Sequence, residues 1–225
     1  MIVDVIILTD STDIAMTQRT IDTLHDSNLF EFRVQLVDSG INDLNKYKNY
    51  HNYIYPESKF NYNKFLNIAF AYCLGEWVVI SNDDISYERN WFEYIMRVND
   101  ERPDIEAFSP KDPLLYAKYF PGHFVGTSST YFESYAVTEA IQGWCTVIKR
   151  TALDKILPFD EQFDMYYQDN DYAEMLKLHG IKHALVRDSI ACHLNTLNIT
   201  ELNDYKKLKM EIDEHKFRNK WKLYK

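Results

Sequence analysis

Trp77-Val78-Val79-Ile80 is a short apolar, β-branched-rich run that stops at Ser81-Asn82-Asp83-Asp84. A run of this length and composition reads as a buried strand. Two adjacent carboxylates therefore fall at a strand's carboxyl end, the edge of an open α/β sheet where ligands bind. Side by side in such a mouth they repel each other unless a hard cation such as Mg²⁺ or Mn²⁺ is shared with them.

The chain leading up to this point alternates strands and helices. Ile2 to Thr9 is nearly all aliphatic, as a central parallel strand is, and Asp10-Ser11-Thr12-Asp13 offers N-caps for a helix over 14–24. Phe32 to Val37 reads as a second strand that stops at Asp38-Ser39-Gly40. Asp38 suits recognition of a base or ribose, and equally a turn that uses Asp and Gly for their backbone habits. Tyr53 to Tyr55 is a weak strand candidate. Apolar spacing predicts a helix from Asn63 to Leu74, closed by Gly75 as its C′ residue. Asn63 and Asn67 share a face of that helix. Lys64 lies at its start, where the helix dipole favours a phosphate, or is simply solvated. This alternation up to Asp84 implies a doubly wound parallel sheet.

Downstream, residues 89–99 form an amphipathic helix with Trp91, Tyr94, Ile95 and Val98 on one side, and 107–110 form a short strand ending at Pro110. Residues 111–135 are aromatic-rich without periodicity and read as a long ordered loop. Tyr116, Tyr119, Phe120, Tyr131 and Phe132 either stack on a sugar or base or form a small satellite cluster. In Gln142-Gly143-Trp144-Cys145, Gly143 permits close backbone approach, and an apolar strand follows that ends at Lys149-Arg150. A helix from Ala173 to His179, closed by Gly180, is capped by Asp169 or Asn170 with Asp171 in its first turn. A cap accounts for one of these carboxylates and does not require two. His193 ends a last strand region over 181–193, where a lone histidine is ordinarily structural. The tail from 201 to 225 is helical in pattern, with Leu202, Tyr205, Leu208 and Ile212 on one stripe. Its basic end suits an anionic membrane or nucleic acid, or a helix packed back on the domain or on a second subunit.

The 225 residues suffice for one domain with a sizeable core. A net charge of −9 argues against a broad nucleic-acid-binding face. Cys73, Cys145 and Cys192 are odd in number and lie in apolar context, which suggests free buried thiols in a reducing compartment. With an acidic residue at position 4 and no basic n-region, the start reads as a first strand rather than a signal peptide. No apolar run approaches a membrane span. The expectation is a soluble protein of the cytoplasm of a bacterial or phage-infected cell.

Taken in order, these motifs resemble the family 2 GT-A glycosyltransferases, over roughly residues 1–196. The resemblance implies an α/β GT-A (Rossmann-like) fold with a mostly parallel central sheet flanked by helices and a C-terminal helical tail. It divides the chain into a domain over 1–200, with a nucleotide-binding half to 85 and an acceptor and catalytic half beyond, and a helix over 201–225. Asn82-Asp83-Asp84 stands where that family has its DxD-type motif, with Asn82 replacing the first acid. By this resemblance Asp83 meets the ribose and Asp84 the metal. Thr9 and Asp38 flank the base, Asn63, Lys64 and Asn67 serve the nucleotide, and Gly143 and Trp144 lie under and beside the donor sugar. Asp169 matches the general base and Asp171 the later acid of the family's catalytic helix start, where Gln168 departs from the expected Glu. His193 joins the metal or diphosphate, and Asn195 and Thr196 add diphosphate contacts.

The implied reaction is metal-dependent inverting transfer of a sugar from a nucleoside diphosphate, UDP by family habit, to an acceptor hydroxyl. A glycan or lipid-linked acceptor is the default. The chain's compactness also resembles small phage enzymes acting on hydroxymethylated DNA bases, where the aromatic loop and basic tail would suit a flipped base. A homodimer is possible through the tail. Two other classes compete. A nucleotidyltransferase needs a Gly-rich basic loop after the first strand, which Asp10-Ser11-Thr12-Asp13 is not. A non-catalytic carbohydrate-binding module needs the aromatics but not both acidic sites.

Overall fold

The computed structural model describes residues 1–27, 30–40, 42–120, 129–194 and 204–223. Its centre is β1 (Ile2–Thr9), flanked in parallel by β2 (Glu31–Asp38) and β4 (Trp77–Asn82), with the short β3 (Asn52–Ile54) beyond β2. On the other side β8 (Cys145–Lys149) runs antiparallel to β4, β6 (Ile105–Lys111) antiparallel to β8, and β9 (Lys182–His193) parallel to β6. The order β3-β2-β1-β4-β8-β6-β9 is completed by β5 (Ile85–Tyr87) on the far half of β9, and β7 (Tyr131–Glu133) also pairs with β9. The sheet is mixed but mostly parallel.

β1 is buried along nearly its whole length because helices cover both of its faces. Val3, Val5 and Ile7 pack toward α1 (Ile14–Asp26) and α3 (Trp91–Glu101), against Ile21, Leu24, Trp91 and Phe92. Ile6 and Leu8, one pleat out of phase, pack toward α2 (Tyr62–Phe70), α5 (Arg150–Ile156) and α6 (Gln168–Leu178), against Phe65, Leu66, Ala152 and Leu176. Asp13 caps α1 as expected, accepting from Met16 N at 2.9 Å.

The helix predicted to reach Leu74 ends at Phe70. Gly75 is not a left-handed cap. A side chain there would meet Ile2 O at 2.6 Å and Asp4 Oδ2 at 3.0 Å, so glycine is needed for close approach to β1. Asp4 is fully buried in mid-strand and accepts from Arg33 Nε (3.0 Å) and a terminal guanidinium nitrogen (2.8 Å), from Gln35 Nε2 and from the Leu74 and Gly75 amides. This clasp ties β1, β2 and the entry to β4 together.

Two elements arise inside the expected loop over 111–135, namely β7 and α4 (Pro113–Tyr119). The helix was signalled by Asp112-Pro113, an N-cap followed by proline at N1. Tyr116, Phe120 and Phe132 pack with Leu115, Ala140 and Leu185 as a satellite cluster, Tyr131 takes a hydrogen bond from Arg102, and Tyr119 is exposed. Residues 121–128 lie outside the described part.

α7 (Asp204–Lys220) docks in the reverse sense to its sequence stripe. Buried Asp213 accepts from Lys216 and Lys209 and from the Tyr166 amide, Phe217 meets Tyr167, and Lys220 reaches Asp160 and Asp171. Tyr205, Leu208 and Ile212 face outward, and Leu202 lies outside the described residues. Ion pairs, not the apolar stripe, decide which face is inward. The three cysteines are free, and burial pushes the Cys73 and Cys145 thiols up to about 12, which leaves them unreactive. Among the described residues no helix is long and apolar enough to cross a membrane.

Removing one partner of a buried charged pair typically costs 3–5 kcal/mol. We expect Asp4→Ala to lower the unfolding free energy by about that amount in denaturant titrations, and a loss below about 1 kcal/mol would remove Asp4 from its role as clasp.

Candidate active site

The carboxyl ends of β1 and β4 open onto a cleft of about 580 Å³. It is lined by Thr9, Asp10, Asn82 and Asp83 from the β1 and β4 ends, and by Tyr62, Met165, Tyr166, Gln168 and Asp169 from α2 and the segment entering α6. Gln142, Gly143, Trp144 and His193 also belong to the lining. A small recess of about 30 Å³ continues under Gly143, reaching Asn63, Phe159 and Tyr172.

Asp83 and Asp84 occupy the turn from β4 into β5. Thr17 Oγ1 donates to Asp83 Oδ2 at 3.1 Å, and Thr20 Oγ1 donates to the Asp83 carbonyl. Burial pushes the Asp83 carboxyl up. The Thr9 and Thr17 hydroxyls hold it back, and the neighbouring Asp84 charge adds to the rise. Because β5 pairs antiparallel with the end of β9, with Ile85 opposite His193, Asp84 is brought to the histidine. Its Oδ1 lies 3.0 Å from His193 Nε2. The His193 amide donates to Asp112 Oδ2 at 3.0 Å, and its ring stacks on Trp144 at 5.7 Å and 19°. Asp112 and Trp144 thus fix both the backbone and the plane of His193. Asp112 was not singled out in sequence, where its visible signal was that of a helix cap.

Asp169 is not a cap. α6 begins earlier than predicted, at Gln168, after Tyr167 in the left-handed region (φ 62°), and Asp169 and Asp171 both fall in its first turn. A non-glycine residue there stores strain, which is common beside functional groups. Tyr167 is held by ring contact with Phe217 and by the Asp171 amide donating to its carbonyl. Asp169 accepts the Asn170 amide at 2.8 Å, and burial pushes its carboxyl up. A Cβ at Gly143 would lie 2.8 Å from Asp169 Oδ2, so only glycine lets β8's approach and α6's start meet. Gly143 touches Asp169 and Trp144 stacks on His193. Two consecutive residues therefore bridge the two acidic sites.

Several other expected residues are engaged outside the main cleft, Asn63 bordering only its recess. Asp171 turns to Lys220 (2.9 Å) and Trp221 Nε1 (2.8 Å), anchoring α7. Asn67 binds the Phe159 amide and carbonyl, and Asn63 binds the Asp160 carbonyl, so both pin the loop before α6. Lys64 lies beside the α2 cap and is not among the cleft's lining residues. Asp38 is fully buried and accepts from Ser11 (2.7 Å), Lys46 (2.6 Å), Tyr53 (2.9 Å) and the Gly40 amide. Lys149 and Arg150 lie at the opposite sheet edge, since β8 runs antiparallel and Lys149 pairs with Trp77. Asn195 and Thr196 lie outside the described residues.

Beneath Gln142 sits a histidine that sequence reading passed over. The Gln142 amide donates to Ser109 Oγ, which lies 3.1 Å from His183 Nε2, and His183 Nδ1 lies 2.9 Å from Ser134 O. This pairing suits a neutral imidazole, and burial pushes its pKa down to about 4.

No family model and no curated protein matches the sequence. Among solved structures, the fold is similar to the mannosyltransferase PcManGT from Pyrobaculum calidifontis in complex with GDP-Man and Mn²⁺. The TM-score is 0.66 at 15% identity, covering 88% of this chain and 58% of that one. It is also similar to S. aureus TarS 1–349 in complex with UDP-GlcNAc, at TM-score 0.61 and 18% identity, covering 85% and 57%. The chain spans a little under three fifths of the length of these proteins. Its α/β architecture, a mostly parallel mixed sheet with flanking helices and a C-terminal helix, is the GT-A fold.

Two outcomes follow from this packing. Gly143→Ala should cost about 1–3 kcal/mol, as overpacking does, and most of that cost should vanish when Asp169→Gly, which removes both the Oδ2 and the Cβ that the new methyl meets, is present as well. Additive melting shifts would show that the contact is not the cause. For His183, the unfolded chain takes up a proton below about pH 6.5 that the folded state refuses until about pH 4. Stability therefore falls as pH drops through that window, by on the order of 3 kcal/mol in total. Denaturation from pH 7 to 4 should show a flatter dependence for His183→Gln, and an unchanged slope would mean the histidine is not held neutral.

Proposed function

We propose that this chain is a metal-dependent, inverting glycosyltransferase of the family 2 GT-A type, moving a sugar from a nucleoside diphosphate to an acceptor hydroxyl. The observation that carries this reading is the Gly143-Trp144 pair. Adjacent Cα atoms are about 3.8 Å apart, so a cation-binding pair and a buried carboxylate flank one dipeptide, a spacing suited to a single sugar ring between leaving group and nucleophile. The TarS and PcManGT complexes hold nucleotide-sugars, which favours the same assignment here.

The donor set fits a divalent cation. Asp84 Oδ1 and His193 Nε2, a carboxylate oxygen and an imidazole nitrogen 3.0 Å apart, are the residues that would hold a Mg²⁺ or Mn²⁺. Among the described residues no group of three or more His, Cys, Asp and Glu can hold a metal. So few protein donors would be usual for such ions, which bind through one or two carboxylates together with substrate phosphates. Electrostatics asks for the same thing. Asp10, Asp83 and Asp169 line the cleft with no Lys or Arg among the described lining residues. A close pair of like charges costs about 2–4 kcal/mol at separations of about 4–8 Å in an effective dielectric of 20. A bound cation supplies neutralisation of the charge that builds on the departing diphosphate.

The protein's own groups do the rest. Asp83 meets the ribose, and Thr9 lies at the base end of the cleft. Asp169 takes the proton of the acceptor hydroxyl as the new bond forms, and its raised pKa makes it a stronger base near neutral pH. Asp171 and α7 hold the start of α6 in place. Asp38, enclosed by Ser11, Lys46, Tyr53 and Gly40, shapes the base end. The acidic cleft and the net charge of −9 favour a glycan or lipid-linked acceptor over DNA. The compact form, residues 1–200 as the catalytic unit with a helix behind, is part of the same proposal.

Calorimetric titration of UDP, then GDP, with and without Mn²⁺ tests the reading. Binding should require the metal and weaken at least about tenfold in Asp84→Ala and His193→Ala. Asp169→Asn should bind nucleotide normally yet lose about 10²–10⁴ of its nucleotide-sugar turnover, and the wild-type acid limb should lie above the ordinary carboxylate range. Metal-independent binding, or full turnover in Asp169→Asn, would overturn the assignment.

A further inference from the structure

The cleft residues Met165, Tyr166, Gln168 and Asp169 all come from one segment, 160–171. It holds five acids, Asp160, Glu161, Asp164, Asp169 and Asp171, and neither Lys nor Arg. Like charges so close in sequence repel each other and drive a chain apart, so cations from elsewhere must hold the segment closed.

Those cations come from α7. Lys209, Lys216 and Lys220 recur seven and then four residues apart, which places them on one helix face. Lys209 pairs with Asp164, and Lys216 donates to Gln162 O at 2.9 Å. Lys220 Nζ lies 3.0 Å from Asp160 Oδ2 and 2.8 Å from Asp171 Oδ1, so it bridges the first and last residues of the segment. The Asp171 side chain is 3% exposed and that of Lys220 26%, so water and salt screen this bridge less than a surface pair. The Lys220 ammonium also lies over the Phe163 ring at 5.5 Å. Apolar contact adds little. Phe217 is buried against Tyr167, whereas Tyr205, Leu208, Met210 and Ile212 are exposed.

We infer that Lys220 is a positioning residue for Asp169, an ionic clasp that closes segment 160–171 by its two ends. Without the ammonium, the Asp160 and Asp171 carboxylates are near enough to repel each other. The segment then opens at its α6 end. Tyr167 (φ 62°), whose left-handed backbone the closed packing maintains, relaxes toward an ordinary conformation. Gln168 and Asp169, its chain neighbours, move with it. Asn63 and Asn67 still hold residues 159 and 160 from α2, so the loss is confined to this segment. What the clasp does for Asp169 as a base rests on the proposed function, whereas its closing of the segment does not.

Hydrogen exchange on the full chain, read peptide by peptide, tests the closing in wild type, Lys220→Met, Lys220→Arg, Asp160→Asn and the double variant Asp160→Asn/Lys220→Met. Amides over 160–171 and α7 should exchange at least about tenfold faster in Lys220→Met, the scale of one charge-assisted hydrogen bond. Those of β1 and β4 should not change, and Lys220→Arg should stay within about threefold of wild type. Asp160→Asn should add nothing once Lys220→Met is present. Unchanged exchange over 160–171, an equal rise in β1 and β4, or additive effects of the two substitutions would overturn the clasp. Nucleotide release from UDP-glucose, UDP-GlcNAc and GDP-mannose with Mn²⁺ then tests the positioning. For the best of the three, kcat should fall about tenfold or more in Lys220→Met with KM within about threefold, and Lys220→Arg should recover most of it. Full kcat in Lys220→Met, or a change in KM alone, would overturn the positioning role. Turnover of none of the three by wild type, beside the expected exchange, would overturn the functional reading and the positioning role with it, while the clasp stands.

Discussion

A carboxylate taken out of water must be compensated by cations or hydrogen-bond donors, and this constraint sorts the acids of the molecule into two kinds. Asp4, Asp38, Asp112, Asp171 and Asp213 are buried and supplied by the protein itself, through Arg33, Lys46, backbone amides, Lys220 with Trp221, and Lys209 with Lys216. Asp83, Asp84 and Asp169 are not so supplied. Two hydroxyls and one backbone amide are their principal donors, and His193 Nε2 lies 3.0 Å from Asp84 Oδ1. The first kind holds strands, loops and the C-terminal helix in place. Of the second kind, Asp83 and Asp169 line the common cleft and Asp84 sits behind it against the cleft-lining His193.

The two kinds are mechanically linked. Asp112 carries the His193 backbone, so a helix cap sets the height of a proposed metal ligand. Asp171 and Asp213 tie α7 to the segment carrying Tyr166, Tyr167 and Asp169, so the tail holds the proposed base from behind. Asn63 and Asn67 do similar work from α2 through the loop at 159–161. Asn63 and Asn67, expected at the nucleotide, fix the positions of residues that line the cleft.

Much of this was legible before any coordinates. The aliphatic run of β1, the Trp77–Ile80 strand and its acidic end, the Gly143 approach and the Gly180 cap follow from local chemistry that tertiary contacts do not override. The motif order resembling a GT-A enzyme carried the fold. What escaped is of another kind. α4 was hidden because its turn is short and its aromatics lack periodicity, although Asp112-Pro113 marked its start. His183 and Asp112 looked ordinary because their meaning depends on partners 74 to 81 residues away.

By itself, the sequence determined the alternation of strand and helix, the central place of β1, the acidic turn at Asp83-Asp84 and the need for glycine at 143, since hydrophobic periodicity and backbone sterics act over a few residues. Only the tertiary structure decided which acids face the cleft. β5 and β9 must pair antiparallel before Asp84 meets His193, α7 must dock before Asp171 is consumed, and β8 must run against β4 before Lys149 and Arg150 are carried away from the cleft. A carboxylate has the same chemistry in every context. Its role is set by what long-range packing places within about 3 Å of it.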